Sequence, residues 1–117
     1  MTDQRLIDVR RFEDQVGSLA SFRKVAAIFL ELLPRWRDRA QMAVDQQDWT
    51  ALAEQVHQMK GCCGMMCAQL LTDQSALVER HLKEADAHQA SEALKQLFRL
   101  MEAVQHELRT VWLKDDA

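Results

Sequence analysis

Glycine and proline are scarce, with three glycines and one proline in 117 residues. Tyrosine is absent, and valine and isoleucine are few. A meander of short strands needs turn residues and β-branched or aromatic side chains, and this chain is short of both. No run approaches the ~20 apolar residues that span a bilayer. The N-terminal MTDQRLID lacks the charged-then-apolar layout of a secretory leader. There is no basic block and the net charge is −3, which argues against a nucleic-acid partner, because phosphate-backbone binding needs a clustered positive face. The three cysteines, Cys62, Cys63 and Cys67, are odd in number and crowded into one segment. They suggest no disulfide framework, and a reducing, cytoplasmic setting is expected.

What is present favours helices. Ala, Leu, Gln, Glu and Arg dominate, all good helix formers. With 48 % hydrophobic and 28 % charged residues, the chain can bury a core and keep a solvated surface. Its length suits a single domain over residues 1–117. Asp8 is placed to cap a short helix holding Val9, Phe12 and Val16 and ended by Gly17. Ser18 or Ser21 offers a cap for the second helix, whose apolar stripe reads Val25, Ile28, Phe29, Leu32, Trp36, Ala40 and Ala43. Pro34 within it predicts a kink or a restart. Asp48 looks like the cap of the third helix, with Leu52, Val56, Met59 and Cys63 as its core stripe. Leu70, Leu71, Leu77, Val78 and Leu82 mark the fourth helix, closing near Ala85–Asp86. Leu94, Leu97, Phe98, Met101, Val104, Leu108 and Val111 mark the fifth. Short connections between long amphipathic helices predict an all-α fold, an antiparallel up-down four-helix bundle with a short additional N-terminal helix.

Bundles host many functions, so the chemistry must come from a site. In VHQMKGCCGMMCAQL, residues 56–70, His57, Lys60, Gly61 and Gly64 stand at i, i+3, i+4 and i+7, away from the core stripe of the same helix. Two helical glycines cost roughly 1 kcal/mol each relative to alanine. On an exposed face, close approach of another molecule to the imidazole would account for them. A neutral imidazole is a competent nucleophile near pH 7, and the adjacent ammonium could screen an anion carried on it. A metal site would need convergent ligands, yet Cys63 points to the core and His57 away from it. The cysteines read more simply as small buried hydrophobes and Met65–Met66 as core filling. His81, His88 and His106 read as surface residues.

The run HQMKGCCGMMCA resembles the phosphorylation motif of histidine phosphotransfer (HPt) domains: His-x-Leu-Lys-Gly, two small residues, an apolar residue, Gly-Ala and a later Leu. His57, Met59, Lys60 and Gly61 match in order. Cys62 and Cys63 stand as the small pair, Met66 as the apolar residue, and Ala68 and Leu71 follow in place. FLELLPRWRDRAQMAVDQQDW resembles the family's preceding helix, including its Leu-Pro step, and Val78–Glu79 resembles an apolar-Glu pair in the following one. The chain departs from the pattern at Cys67, where glycine is usual between two helices.

The resemblance implies a phosphoryl carrier rather than an enzyme with its own substrate. His57 would be the phosphoacceptor, supported by Lys60, Gly61 and Gly64. The implied partners are response-regulator receiver domains and a hybrid sensor histidine kinase. The chain would hold no cofactor of its own, and Mg²⁺ would be supplied by the receiver. Receivers are expected to dock on the second helix as well as the third, and an apolar patch at Leu30 and Leu33, rimmed by Arg37, is the expected contact. Two other classes fit the same bundle: an adaptor that binds a receiver or kinase without relaying phosphate, and a metal- or redox-sensing bundle.

Overall fold

The computed structural model describes residues 5–114. Part of the MTDQRLID segment, residues 1–4, therefore lies outside the described residues, as do residues 115–117. The chain is all-helical: α1 (Val9–Gln15), α2 (Leu19–Asp45), α3 (Trp49–Met65), α4 (Gln69–Lys83) and α5 (Ala87–Glu107), the last running into a π-helical turn at Leu108–Trp112. There is no strand among the described residues, and no helix there is long and apolar enough to cross a membrane. The long helices pack in sequence order, α2 on α3, α3 on α4 and α4 on α5, and α5 returns to touch α2.

Helix starts follow local chemistry. The side chains of Asp8, Ser18, Asp48 and Asp86 each accept the backbone N–H three residues on, at 3.0–3.1 Å. These bonds satisfy donors that have no partner inside the helix. Of the two candidate serines, Ser18 is thus the cap of α2. The α4 helix has only Ala68 at its cap and no side-chain bond there.

Helix ends are more uniform than the sequence suggests. Gln47, Cys67 and Ala85 all adopt positive φ, at 54°, 57° and 56°. In each case the amide of this residue bonds to the carbonyl three back, and the next amide to the carbonyl five back: Gln47 to Val44 and Asp48 to Ala43, Cys67 to Gly64 and Ala68 to Cys63, Ala85 to Leu82 and Asp86 to His81. These are three copies of the Schellman turn. Glycine would be the natural occupant of each left-handed position, and none is present. A side chain there costs about 1–2 kcal/mol, against about 0.5–1 kcal/mol for ordering a glycine. Ala85 is exposed, so Ala85→Gly loses no packing. We expect it to stabilise the protein by about 0.5–1 kcal/mol and raise the melting temperature by a few degrees. Differential scanning calorimetry checks this, and an unchanged or lower transition would contradict it.

The core largely follows the periodic pattern. Leu52, Val56, Met59 and Cys63 of α3 are buried, as are Leu94, Leu97, Phe98, Met101, Val104 and Leu108. Val111 is half-buried in the π-helical turn. In α4 Leu71 and Val78 are buried, whereas Leu70 is exposed and Ser75 takes a core position by donating its hydroxyl to the Leu71 carbonyl at 2.7 Å.

α2 departs from its expected stripe. Its buried residues are Phe22, Ala26, Phe29, Leu33, Trp36, Ala40 and Ala43, at alternating four- and three-residue steps. Leu33 is 0 % exposed and Ile28 is 59 % exposed, the reverse of their expected roles. The helix carries apolar residues on more than one face, and periodicity alone selected a stripe rotated from the true one. Pro34 is exposed and α2 runs through it without a restart. Val16 is exposed, and the N-terminal contribution to the core comes from Ile7, Val9 and Phe12. Phe12 meets Phe22 edge-on at 5.1 Å, and Phe22 meets Trp112 at 5.8 Å.

Candidate functional site

α3 buries one stripe against the bundle, which turns its opposite face outward. His57, Lys60, Gly61 and Gly64 share that outer face. The His57 side chain is 72 % exposed. A Cβ built on Gly61 or Gly64 meets nothing within 4 Å, so no contact inside the protein requires glycine at either position.

The residue that organises the site comes from α4. The Glu79 side chain is only 13 % exposed and lies against α3. Its Oε2 is 3.1 Å from Nδ1 of His57, and its Oε1 is 2.6 Å from Nζ of Lys60. Burial would push the Glu79 carboxyl up, but the hydrogen bonds and charges of Lys60 and His57 more than offset this and hold it below its ordinary value. Glu79 is therefore a carboxylate at neutral pH, and a carboxylate only accepts. The proton on the facing imidazole nitrogen is accordingly assigned to Nδ1. In that tautomer Nε2 carries the lone pair. An imidazole fixed in this way is an oriented nucleophile, and a carboxylate on its far nitrogen stabilises positive charge that develops on the ring.

A carboxyl held below its unfolded value contributes stability that is complete above the unfolded value, near pH 4, and is lost as pH falls through the lower native one. Glu79→Gln lacks this contribution at every pH. Melting temperatures of the two proteins should differ most near neutral pH and converge in acid. A gap that is constant with pH would show that the carboxylate charge is not what matters.

The expected partner patch is not confirmed in the form proposed. Leu33 is enclosed in the core and cannot touch a partner. Leu30 is half-buried and packs on the core. Arg37 points to α5, where it lies 3.2 Å from Glu102 and over the ring of Phe98 at 5.4 Å. The reason is the same rotation of the α2 stripe, which carries Leu30 and Arg37 to the α5 flank. The apolar surface beside α3 lies on the other flank. Val25, Ile28 and Leu32 of α2 form a groove with Cys62, Met65 and Met66. Met65 is 60 % exposed rather than core filling, while Met66 is buried as expected. Cys63 and Cys67 are buried, Cys62 is half-buried, and all three are free thiols. Burial raises the Cys63 thiol to about 12. No group of three or more metal-ligating side chains is gathered among the described residues. His88 and His106 are exposed and His81 is half-buried.

A family model described as the Hpt domain matches residues 24–109. The chain belongs to the Hpt domain family, the histidine phosphotransfer modules of two-component phosphorelays, which exchange phosphoryl groups with receiver domains and histidine kinases. No curated protein and no solved structure gives a match.

Proposed function

We propose that this chain is a cytoplasmic phosphoryl carrier of a multistep phosphorelay, a single domain whose four long helices run up and down, with His57 as its phosphoacceptor. The observation that carries the reading is the bond from His57 Nδ1 to Glu79, which leaves Nε2 of an exposed imidazole as the nucleophile. In the forward step Nε2 attacks the phosphorus of an aspartyl phosphate on a receiver. The N–P bond forms, the acyl O–P bond breaks, and the aspartate leaves as carboxylate. The ring retains its Nδ1 proton and becomes cationic, and Glu79 stabilises that charge. Return to a second receiver reverses these steps. Lys60, three residues on, contributes positive charge beside the phosphoryl oxygens. The receiver supplies Mg²⁺ and most of the transition-state stabilisation. Gly61 and Gly64 keep the surface low where the partner approaches, and the Ile28–Leu32–Met65 groove gives an apolar centre for docking.

The test is to mix the protein with a phosphorylated receiver and a hybrid kinase and follow labelled phosphate. Acid-labile, alkali-stable phosphate on His57, passed on to a second receiver, is the expected result. Tight receiver binding with no label on the chain would instead make it an adaptor, and label on another residue would remove His57 from the role.

A further inference from the structure

Of the three Schellman turns, one is held from outside. The Asp8 N–H donates to the Cys67 carbonyl at 3.1 Å. The Cys67 thiol lies 4.0 Å from Oε1 of Gln15, and Arg11 donates to Gln69 Oε1 at 3.3 Å. These three bonds converge on the Met66–Ala68 turn and its neighbour, at the end of the helix that carries His57. The sister turns at Gln46–Asp48 and Glu84–Asp86 have the same backbone geometry but present exposed Gln47 and Ala85. Cys67, in contrast, is buried.

The segment that reaches the turn is anchored at its other end by a buried acid. Glu107 is buried in the core. Its Oε1 accepts the Leu6 N–H at 2.6 Å, and its Oε2 accepts the Ile7 N–H at 3.0 Å and the Trp112 indole N–H at 2.9 Å. All three partners are donors, so an acceptor-only carboxylate is the matching group. Ile7, between the two anchor points, is buried at the bundle end. Residues 5–23 lie outside the stretch matched by the family model, so this arrangement is additional to the matched bundle.

We propose that Leu6–Gln15 is a strap, latched at Glu107, that holds the α3–α4 turn in its left-handed form and thereby fixes the Met65–Met66 end of α3. The strap is a conformational device. Whatever draws Leu6 and Ile7 away from Glu107 also withdraws the Asp8 bond from Cys67, and the turn must then keep a buried, non-glycine residue at positive φ unaided. Because Met65 and Met66 line the groove between α2 and α3, the latch at the far end of the chain controls order on that groove.

Amide hydrogen exchange on the full chain tests this, with the two sister turns as internal controls. Glu107→Gln is nearly isosteric but places an NH₂ where donors converge, so it opens the latch. The Cys67 and Ala68 amides are expected to lose at least tenfold in protection relative to Gln47, Asp48, Ala85 and Asp86. Ile7→Ala, which keeps the carboxylate and weakens the strap's burial, is expected to give the same pattern to a smaller degree, and it carries the test if Glu107→Gln does not fold. Equal loss at all three turns would mean that Glu107 and Ile7 serve only global stability. Full protection at Cys67 and Ala68 while Leu6 and Ile7 exchange freely would mean that the strap does not hold the turn. Either result overturns the proposal.

Discussion

His57→Gln is expected to abolish phosphoryl labelling while leaving the melting temperature close to wild type. The imidazole is exposed on the outer face of α3, so its removal opens no cavity in the core. The interaction it gives up is one bond to Glu79, and Lys60 remains to neutralise that carboxylate. What cannot be replaced is the nucleophile, since an amide nitrogen has no available lone pair and cannot form the N–P bond. Mass spectrometry under alkaline conditions, after incubation with a phosphorylated receiver, reads the outcome. Undiminished label, or label on His81, His88 or His106, would refute the assignment.

The second large effect separates the two flanks of α2. Leu33→Asp places a carboxylate at a position that is 0 % exposed, and a buried unpaired charge of this kind costs more than about 4 kcal/mol. We expect this variant to be largely unfolded at ambient temperature by circular dichroism. Ile28→Asp alters a residue that is 59 % exposed and should leave the melting temperature within about 2 °C of wild type. It nevertheless puts a charge at the apolar centre of the proposed docking groove, and receiver affinity should fall at least about tenfold, equivalent to about 1.4 kcal/mol. Titration of each variant with its receiver is the measurement. Unchanged affinity in Ile28→Asp would move the docking surface elsewhere.

Helix α2 marks the limit of sequence patterning. On α5 one face is apolar and the other polar, and three- and four-residue spacing marks its buried side chains; on α3 the stripe Leu52, Val56, Met59 and Cys63 is buried, although Met65 of the same helix is exposed. On α2 Ile28, Leu32, Leu30 and Leu33 surround the helix. Spacing then admits several stripes, and only the positions of α3 and α5 decide between them. For that reason Leu33 lies in the core and not in a partner patch. The site was legible as far as residues on one helix could carry it: His57, Lys60, Gly61 and Gly64 share a face, as their spacing requires. Glu79 stands 22 residues from His57 on another helix, and no single-helix periodicity joins the two. Its only trace was the Val78–Glu79 pair within the family resemblance. Glu107 left no trace at all, because an acid in phase with Val104 and Leu108 reads as an interruption of the stripe until the amides of Leu6 and Ile7 are seen to need it.

The Schellman turns leave the chain no slack. Asp48, Ala68 and Asp86 each close one helix and cap the next, so a single residue belongs to two elements at once. Between Met65 and Gln69 there is no segment that could take up a length change. One residue added there would break the pair of bonds that close the turn, Cys67 to Gly64 and Ala68 to Cys63, and with them the register that sets Glu79 beside the imidazole. The pairing of acid and histidine is thus dictated by the count of residues around a bend.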